Sequence, residues 1–259
     1  MKKKVIALEA RLRDRKNVIT LGVLPNFSDY STRDAKRIKD AVKIYYPSTF
    51  YADLFNSMGK MTFPSYNTYK CVQDKIKQTA LFNLLDIPHP KTRVFYGNRQ
   101  KNAILDYFEF PFIGKIPKGS ALGRGVYLIT CEDDLSEYCS ITNSAYIQEY
   151  IPSDRDIRVV IIGDRAVHAY WRIAAPGDFR SNIARGGKVS LEPVPKQILD
   201  LALHTAASCG WDDVGIDIIS HKGDLYVLEA NMKYGKEGFR VAGIDYIQLM
   251  ETMIENEEI

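Results

Sequence analysis

The sequence has no long apolar run. None of its hydrophobic stretches approaches the ~18 residues of a membrane-spanning helix, so no membrane partner is expected. Cysteine is scarce: Cys71, Cys131, Cys139 and Cys209 are scattered, with no C-x-x-C pair. That spacing suits neither a disulfide framework nor a thiolate metal site, and fits small thiols in a reducing, cytoplasmic compartment. His89, His168, His204 and His221 have no ligand spacing, and no Ser-His-Asp or Cys-His order offers a protein nucleophile. Neither sign of charge dominates: 35 basic against 32 acidic residues leave a net +3, too little to argue for nucleic acid or a membrane surface. The basic Met1–Lys4 start leads into Glu9, Arg11, Arg13, Asp14 and Arg15, so no secretory signal is expected. Internal repeats and low-complexity segments are also lacking.

What is present is a chain of 259 residues, 46% hydrophobic, long enough for a large core and one to three lobes. Residues 1–70 read as a small α/β unit, with strands at Val5–Leu8, Val18–Leu24 and Val42–Tyr46. Ser31 is placed to cap a helix over Thr32–Ala41, Ala52–Ser57 reads as a short helix, and Met61–Asn67 reads as a linker. Residues 71–144 form a second unit. It opens with a helix over Lys75–Asp86, whose apolar side is Ile76, Ala80, Leu81, Leu84 and Leu85. Strands at Arg93–Tyr96, Phe112–Ile116 and Val126–Thr130 follow, with helices at Ala103–Phe108 and Asp133–Ser140. Residues 145–259 form the third unit: a strand at Ala145–Tyr150, a hairpin around Gly163-Asp164, a glycine-rich loop over Pro176–Lys188 and a helix over Pro195–Cys209. A second hairpin and a helix from Asp245 complete it. The mixture of hairpins and helices predicts an α+β fold rather than one doubly wound sheet.

The second hairpin, VGIDIISHKGDLYVLEANMKYG, carries the clearest chemistry. Strand alternation points Glu229 and Asn231 the same way. A turn at Lys222-Gly223-Asp224 would set Asp217 directly opposite Glu229, with Ile216, Ile218, Tyr226 and Leu228 on the other face and Val227 on the acidic one. Like charges directly opposite destabilise a sheet. A divalent cation removes that penalty, and two carboxylates with an amide oxygen are hard ligands of the kind Mg²⁺ takes. The competing reading is an edge hairpin with acids facing water, which the apolar flanks disfavour.

Other segments carry weaker signals. The loop Lys118–Gly125 joins two strands, and its glycines allow backbone N–H groups to approach phosphate, although it matches neither a Walker A loop nor a dinucleotide fingerprint. Lys115, at the end of the preceding strand, could place a cation at the loop base. Gln148-Glu149-Tyr150-Ile151 ends a strand, where an acceptor and backbone groups could meet a purine, and Asp156 could bind ribose hydroxyls. Arg158 and Arg172 lie within apolar strands, and a buried guanidinium needs an anion. For Arg158 that anion is either a ligand or one of Asp154, Asp156 and Asp164.

Taken in order, Asp74-Lys75, Phe112–Lys115, GSALGRGV, Gln148–Ile151, Asp156–Arg158, GDFRSNIARGG, Asp217 and Glu229–Asn231 resemble the ATP-grasp superfamily, and within it the RimK-like amino-acid (glutamate) ligases. The resemblance runs from about Asp74 to Ile254. It implies an ATP-grasp fold with a small N-terminal α/β domain, ATP held between the last two lobes, and amide-bond formation through an acylphosphate. It further implies that Lys75 and Lys115 contact the phosphates beneath Gly119, Ser120, Gly123 and Gly125, and that Glu149, Tyr150 and Ile151 hold adenine. Asp156 would hold ribose, and Arg180, Ser181 and Asn182 would reach the nucleotide or acylphosphate. Asp217, Glu229 and Asn231 would hold two Mg²⁺, with Mn²⁺ as a substitute. Arg172, Lys115 and Arg180 would assist transfer. The implied partners are ATP, an amino acid (glutamate by likeness) and a carboxylate-bearing acceptor, with a homo-oligomer left open. One departure stands out. Where the family follows its metal-binding Asn with a small residue and Pro-Gly, this chain reads Met232-Lys233-Tyr234-Gly235-Lys236. That loop is the main support for the competing expectation, a nucleotide-binding regulatory or scaffold protein without ligase activity.

Overall fold

The computed structural model describes residues 4–117, 125–178, 180–181, 183 and 186–259, and among these it holds three sheets. The first is parallel, with strand order β2-β1-β3-β4, built from β1 (Val5–Ala7), β2 (Val18–Thr20), β3 (Lys43–Tyr45) and β4 (Met61–Phe63). Helices α1 (Thr32–Asp40) and α2 (Ser48–Ser57) complete this layer. The N-cap of α1 is the expected one: the backbone N–H of Asp34 donates to Ser31 Oγ at 3.1 Å. The stretch Met61–Asn67, read as a linker, instead carries β4 and the start of α3 (Tyr66–Cys71). Three residues beside a proline show little strand signal by themselves, and parallel pairing with Lys43–Tyr45 supplies what local sequence does not.

Helix α4 (Lys75–Leu84) is capped by Asp74, whose carboxylate accepts from the backbone N–H of Ile76 and Lys77. Its buried side is only partly the predicted one: Leu81 and Leu85 pack against the core. Gln78, Thr79 and Phe82 face inward, whereas Leu84 is 78% exposed. The reason is tertiary. Gln78 Nε2 donates to the carbonyl of Ala230 at 3.0 Å and Gln78 Oε1 accepts from the Ala230 N–H at 2.8 Å, so a polar side chain is buried with its hydrogen bonds made.

The second sheet is antiparallel, order β5-β8-β6-β7, from β5 (Thr92–Tyr96), β6 (Phe112–Lys115), β7 (Val126–Ile129) and β8 (Ser144–Glu149), with α5 (Gly97–Lys101) and α6 (Glu132–Ser140). The helix read over Ala103–Phe108 is only a 3-10 turn at Ile104–Asp106, and the true helix precedes it. Phe95, Phe112, Tyr138 and Ile147 fill this core. Gly114 is required by close approach: a Cβ there would lie 2.9 Å from the Tyr138 ring, whose hydroxyl donates to the Lys115 carbonyl at 2.7 Å.

The third sheet, order β11-β10-β9-β12-β13, is antiparallel and combines β9 (Arg155–Ile162), β10 (Arg165–Ile173), β11 (Lys188–Ser190), β12 (Asp213–His221) and β13 (Asp224–Asn231). Helix α7 (Lys196–Cys209) packs through Ile198, Ala202 and Ala206 on the face bearing Ile157, Ile216 and Ile218. It stops at Gly210, whose φ of 67° supplies the left-handed turn. Short α8 (Glu237–Val241) and α9 (Tyr246–Glu255), the latter capped by Asp245, close the chain. Among the described residues, no helix is long and apolar enough to cross a membrane.

Candidate functional site

Between the second and third sheets lies an open cleft whose walls combine apolar side chains with a few converging charged groups, the make-up of a small-molecule site. Its floor is the β12–β13 hairpin. Asp217 pairs directly with Glu229, as the residue count predicted, but by another route. The turn is the two residues Lys222-Gly223, with φ of 53° and 95°, and His221 pairs with Asp224. The extra residue is a bulge at Leu228, between the Ile218–Val227 and Asp217–Glu229 pairs. The faces expected for Val227 and Leu228 are therefore exchanged: Val227 is fully buried in the core with Ile216 and Ile218, and Leu228 lines the cleft beside Ile219 and Glu229.

Register also assembles a buried row of charge across β10, β9 and β12. Asp156 lies opposite Arg172, and Arg158 opposite Asp217. Arg172 donates from Nε and Nη2 to the two Asp156 oxygens, each at 2.6 Å, and its Nη2 lies 2.9 Å from Asp217 Oδ2. Arg158 donates from Nε and Nη2 to the two Asp217 oxygens, each at 2.7 Å. Burial disfavours the charge on Arg172, but Asp156 and Asp217 outweigh it and hold the guanidinium above its ordinary pKa. Arg158 thus pairs with none of the three aspartates considered from sequence. Its anion lies 59 residues away, on the neighbouring strand.

Two lysines complete the floor. Gln78 ties α4 to β13, so Lys75, one turn earlier, reaches Glu229 Oε2 at 3.5 Å. Lys115 is buried at the end of β6, with its ammonium 5.9 Å from the Tyr146 ring centre. Burial lowers its pKa to about 8, against the pull of Glu229 and with a further push from Lys75. For Glu229, burial would raise the pKa, but Lys75 and Lys115 prevail and bring it to about 2. The floor therefore interleaves Lys75, Lys115, Arg158 and Arg172 with Asp156, Asp217 and Glu229 at the base of an open cleft.

Lys115, Glu149, Tyr150, Ile151, Asp156, Arg172, Arg180, Ser181, Asp217 and Glu229 all line this one cleft. Lys75 and Asn231 join it through Glu229, to which Asn231 Nδ2 donates at 3.0 Å. Gly125 lies just before β7, and its carbonyl accepts from the Ile116 N–H at 2.7 Å. Gly119, Ser120, Gly123 and Asn182 lie outside the described residues. Arg180 is paired with Asp178 and donates to the Val126 carbonyl at 3.2 Å, linking the polar loop to the second sheet. Sequence reading set Ile219 on the acidic face but missed the other apolar walls, Ile113, Val126 and Leu228. Alternation was an available signal for Ile113, two residues before Lys115.

The donor set bears on whether a divalent cation fits. Among the described residues, no group of three or more His, Cys, Asp and Glu side chains could hold a metal by itself. Asp217 and Glu229 supply two carboxylates and Asn231 an amide oxygen, which is too few for a protein-only cage. It is the partial set typical of Mg²⁺ that shares its shell with nucleotide phosphates and water. The residues fit that mode of binding.

Comparison with known proteins agrees with this architecture. The profile of the RimK-like ATP-grasp domain matches residues 72–254. The chain therefore belongs to the RimK-like ATP-grasp family. A probable alpha-L-glutamate ligase of Citrobacter koseri is 28% identical over 227 residues, covering 85% of this chain and 75% of that protein. A ribosomal protein bS6–L-glutamate ligase of Escherichia fergusonii matches with the same identity and coverage. Among solved structures, the RimK domain protein ATP-grasp of Sphaerobacter thermophilus superposes with a TM-score of 0.70 at 17% identity, over 96% of this chain and 98% of that one. The ATP-grasp ligase PsnB, complexed with minimal precursor, Mg and ADP, gives 0.71 at 15%, over 98% and 97%. The fold is thus ATP-grasp, α+β in class.

Proposed function

We propose that this protein is an ATP-dependent carboxylate–amine ligase that joins an amino acid, glutamate being favoured by the names of its relatives, to a carboxylate on a peptide, protein or small molecule. The observation that carries this reading is the floor of the cleft: Asp217 opposed to Glu229, with Lys115 and Arg172 lining the same space.

In this reading adenine lies against Glu149, Tyr150 and Ile151, between Ile113 and Leu228. Ribose lies near Asp156, whose carboxylate is already oriented by Arg172. Lys75 and Lys115 meet the phosphates from one side, where a desolvated ammonium neutralises charge more effectively than one in water. Asp217, Glu229 and Asn231 would hold Mg²⁺, which when bound neutralises phosphate charge and fixes the in-line geometry. Arg172 and Arg180 steady charge on the transferred group. The γ-phosphoryl passes to the carboxylate of one substrate, giving an acylphosphate and ADP. The amine of the second substrate attacks the acyl carbon, the C–N bond forms, inorganic phosphate departs with the C–O electron pair, and the amine proton is lost. Such chemistry needs positioning and charge neutralisation rather than a protein nucleophile.

The test is ADP release over a pool of amino acids and carboxylates, with mass spectrometry of the product. Substrate-stimulated ADP release with an amide product is expected. Tight ATP binding with no stimulated release would reject the ligase in favour of a nucleotide-binding regulator.

A further inference from the structure

The loop that departs from the family pattern, Met232–Lys236, is gripped from two sides. From the first lobe, Arg11, in a 3-10 turn at Ala10–Leu12, donates through Nη1 to the Met232 carbonyl at 3.1 Å. From the third sheet, Arg158 donates through Nη1 to the Tyr234 carbonyl at 2.7 Å. Met232 directly follows Asn231, and the same Arg158 holds both oxygens of Asp217.

Arg11 is itself fixed. Its guanidinium carbon lies 5.0 Å from the Tyr46 ring centre and 5.2 Å from that of Tyr234, and Nη1 is 3.4 Å from the fully buried carboxylate of Asp213. Tyr46 and Tyr234 donate their hydroxyls to the two oxygens of Asp213, at 2.9 and 2.8 Å. Tyr234 lies so close over β12 that a Cβ at Gly215 would come within 2.4 Å of its own Cβ.

We infer that Arg11 is a positioning residue for Asn231: the first lobe sets, through the Met232 carbonyl and the buried Tyr234 anchor, where the last of the three candidate metal ligands stands. This rests on the metal assignment in the proposed function. The tyrosine replaces with side-chain anchoring the rigidity that proline gives a backbone, and the arginine makes that rigidity depend on a second lobe. Groups that orient metal ligands without touching the metal commonly change its affinity by 10–100-fold.

The test is Mn²⁺ affinity in the presence of a non-hydrolysable ATP analogue, measured by electron paramagnetic resonance on the full chain. Arg11→Lys keeps a cation near Asp213, but its shorter side chain withdraws the position held by Nη1, the single nitrogen that reaches both Asp213 and the Met232 carbonyl. It is expected to weaken Mn²⁺ binding about tenfold while nucleotide affinity without metal stays at the wild-type value. Tyr45→Phe is the control, because Tyr45 donates to the Ile259 carbonyl at 2.6 Å and ties the first lobe to the C-terminus through a hydrogen bond that involves neither Arg11 nor the Met232–Lys236 loop. It should lower the melting temperature and leave Mn²⁺ affinity unchanged. Wild-type Mn²⁺ affinity in Arg11→Lys would overturn the inference, leaving Arg11 as a contact between lobes only. Equal weakening by Tyr45→Phe would overturn it as well. If Arg11→Lys does not fold, Tyr234→Phe, which removes only the hydroxyl anchor, carries the test, and unchanged affinity there is a rejection. A wild-type protein that binds the analogue but no Mn²⁺ would reject the metal assignment and the inference together, whereas Mn²⁺ binding without ligase turnover would reject the reaction alone.

Discussion

Strand β12 carries two buried aspartates four residues apart, Asp213 and Asp217, on one face of the strand, and they are treated differently. Asp213 is closed off. Two tyrosine hydroxyls satisfy its oxygens, Arg11 balances its charge, and Tyr246 extends the network through a 3.1 Å contact with Tyr234. Asp217 is also held bidentately, but by guanidinium groups in a row that ends at an open cleft. Hydroxyl donors complete one network inside the core, whereas charge pairing at the edge of a cleft leaves the other within reach of a charged ligand. Gly215 stands between the two aspartates, and its missing side chain is the space through which Tyr234 and Arg158 pass.

The contrast can be broken at each point. Asp217→Asn should have the largest effect: ADP release should fall by about 10²–10³-fold, and Arg158, left without its carboxylate partner, should lower the melting temperature. Asp213→Asn should cost about 3 kcal/mol of stability, the scale for breaking a buried pair, with nucleotide affinity at 15 °C near wild type. Equal losses of nucleotide affinity from both would show that the two networks are one. Gly215→Ala should cost about 1–3 kcal/mol, as overpacking does, and denaturant unfolding will measure it. The smallest effect is on pH dependence. Lys115, at about 8, is charged below that pH and neutral above it, so affinity for ATP should fall as pH rises through 8, by at most about tenfold per unit. Glu229, at about 2, stays ionised throughout. Lys115→Arg should flatten the profile, because a guanidinium does not deprotonate there. A profile identical to wild type would assign the titration elsewhere.

Features governed by local chemistry were legible in the sequence. Ser31, Asp245 and Gly210 mark helix ends where the structure has them, and Asp217 meets Glu229 as residue counting along the hairpin requires. Features decided by distant partners were not. The inward side of α4 is centred by Gln78 pairing with the backbone of Ala230, 152 residues on, so apolar spacing placed Leu81 and Leu85 on the core but turned Leu84 inward when it is exposed. The Arg158–Asp217 pair depends on β9 and β12 being neighbours, which no local pattern reveals. The bulge was missed because an added residue shifts register equally from the turn or from the strand. Only packing decides that Leu228, rather than Asp224, is the one displaced.

That displacement has a consequence for how the hairpin tolerates length change. Deleting Leu228 would leave a regular ladder running out from Lys222-Gly223, with Glu229 still opposite Asp217 and Val227 still in the core. The carboxylate pair does not need the additional residue; what the bulge supplies is an apolar wall. A one-codon deletion would therefore separate two properties that are usually lost together, sparing the proposed cation ligands while removing Leu228 from the wall against which, in the proposed reading, a nucleobase rests.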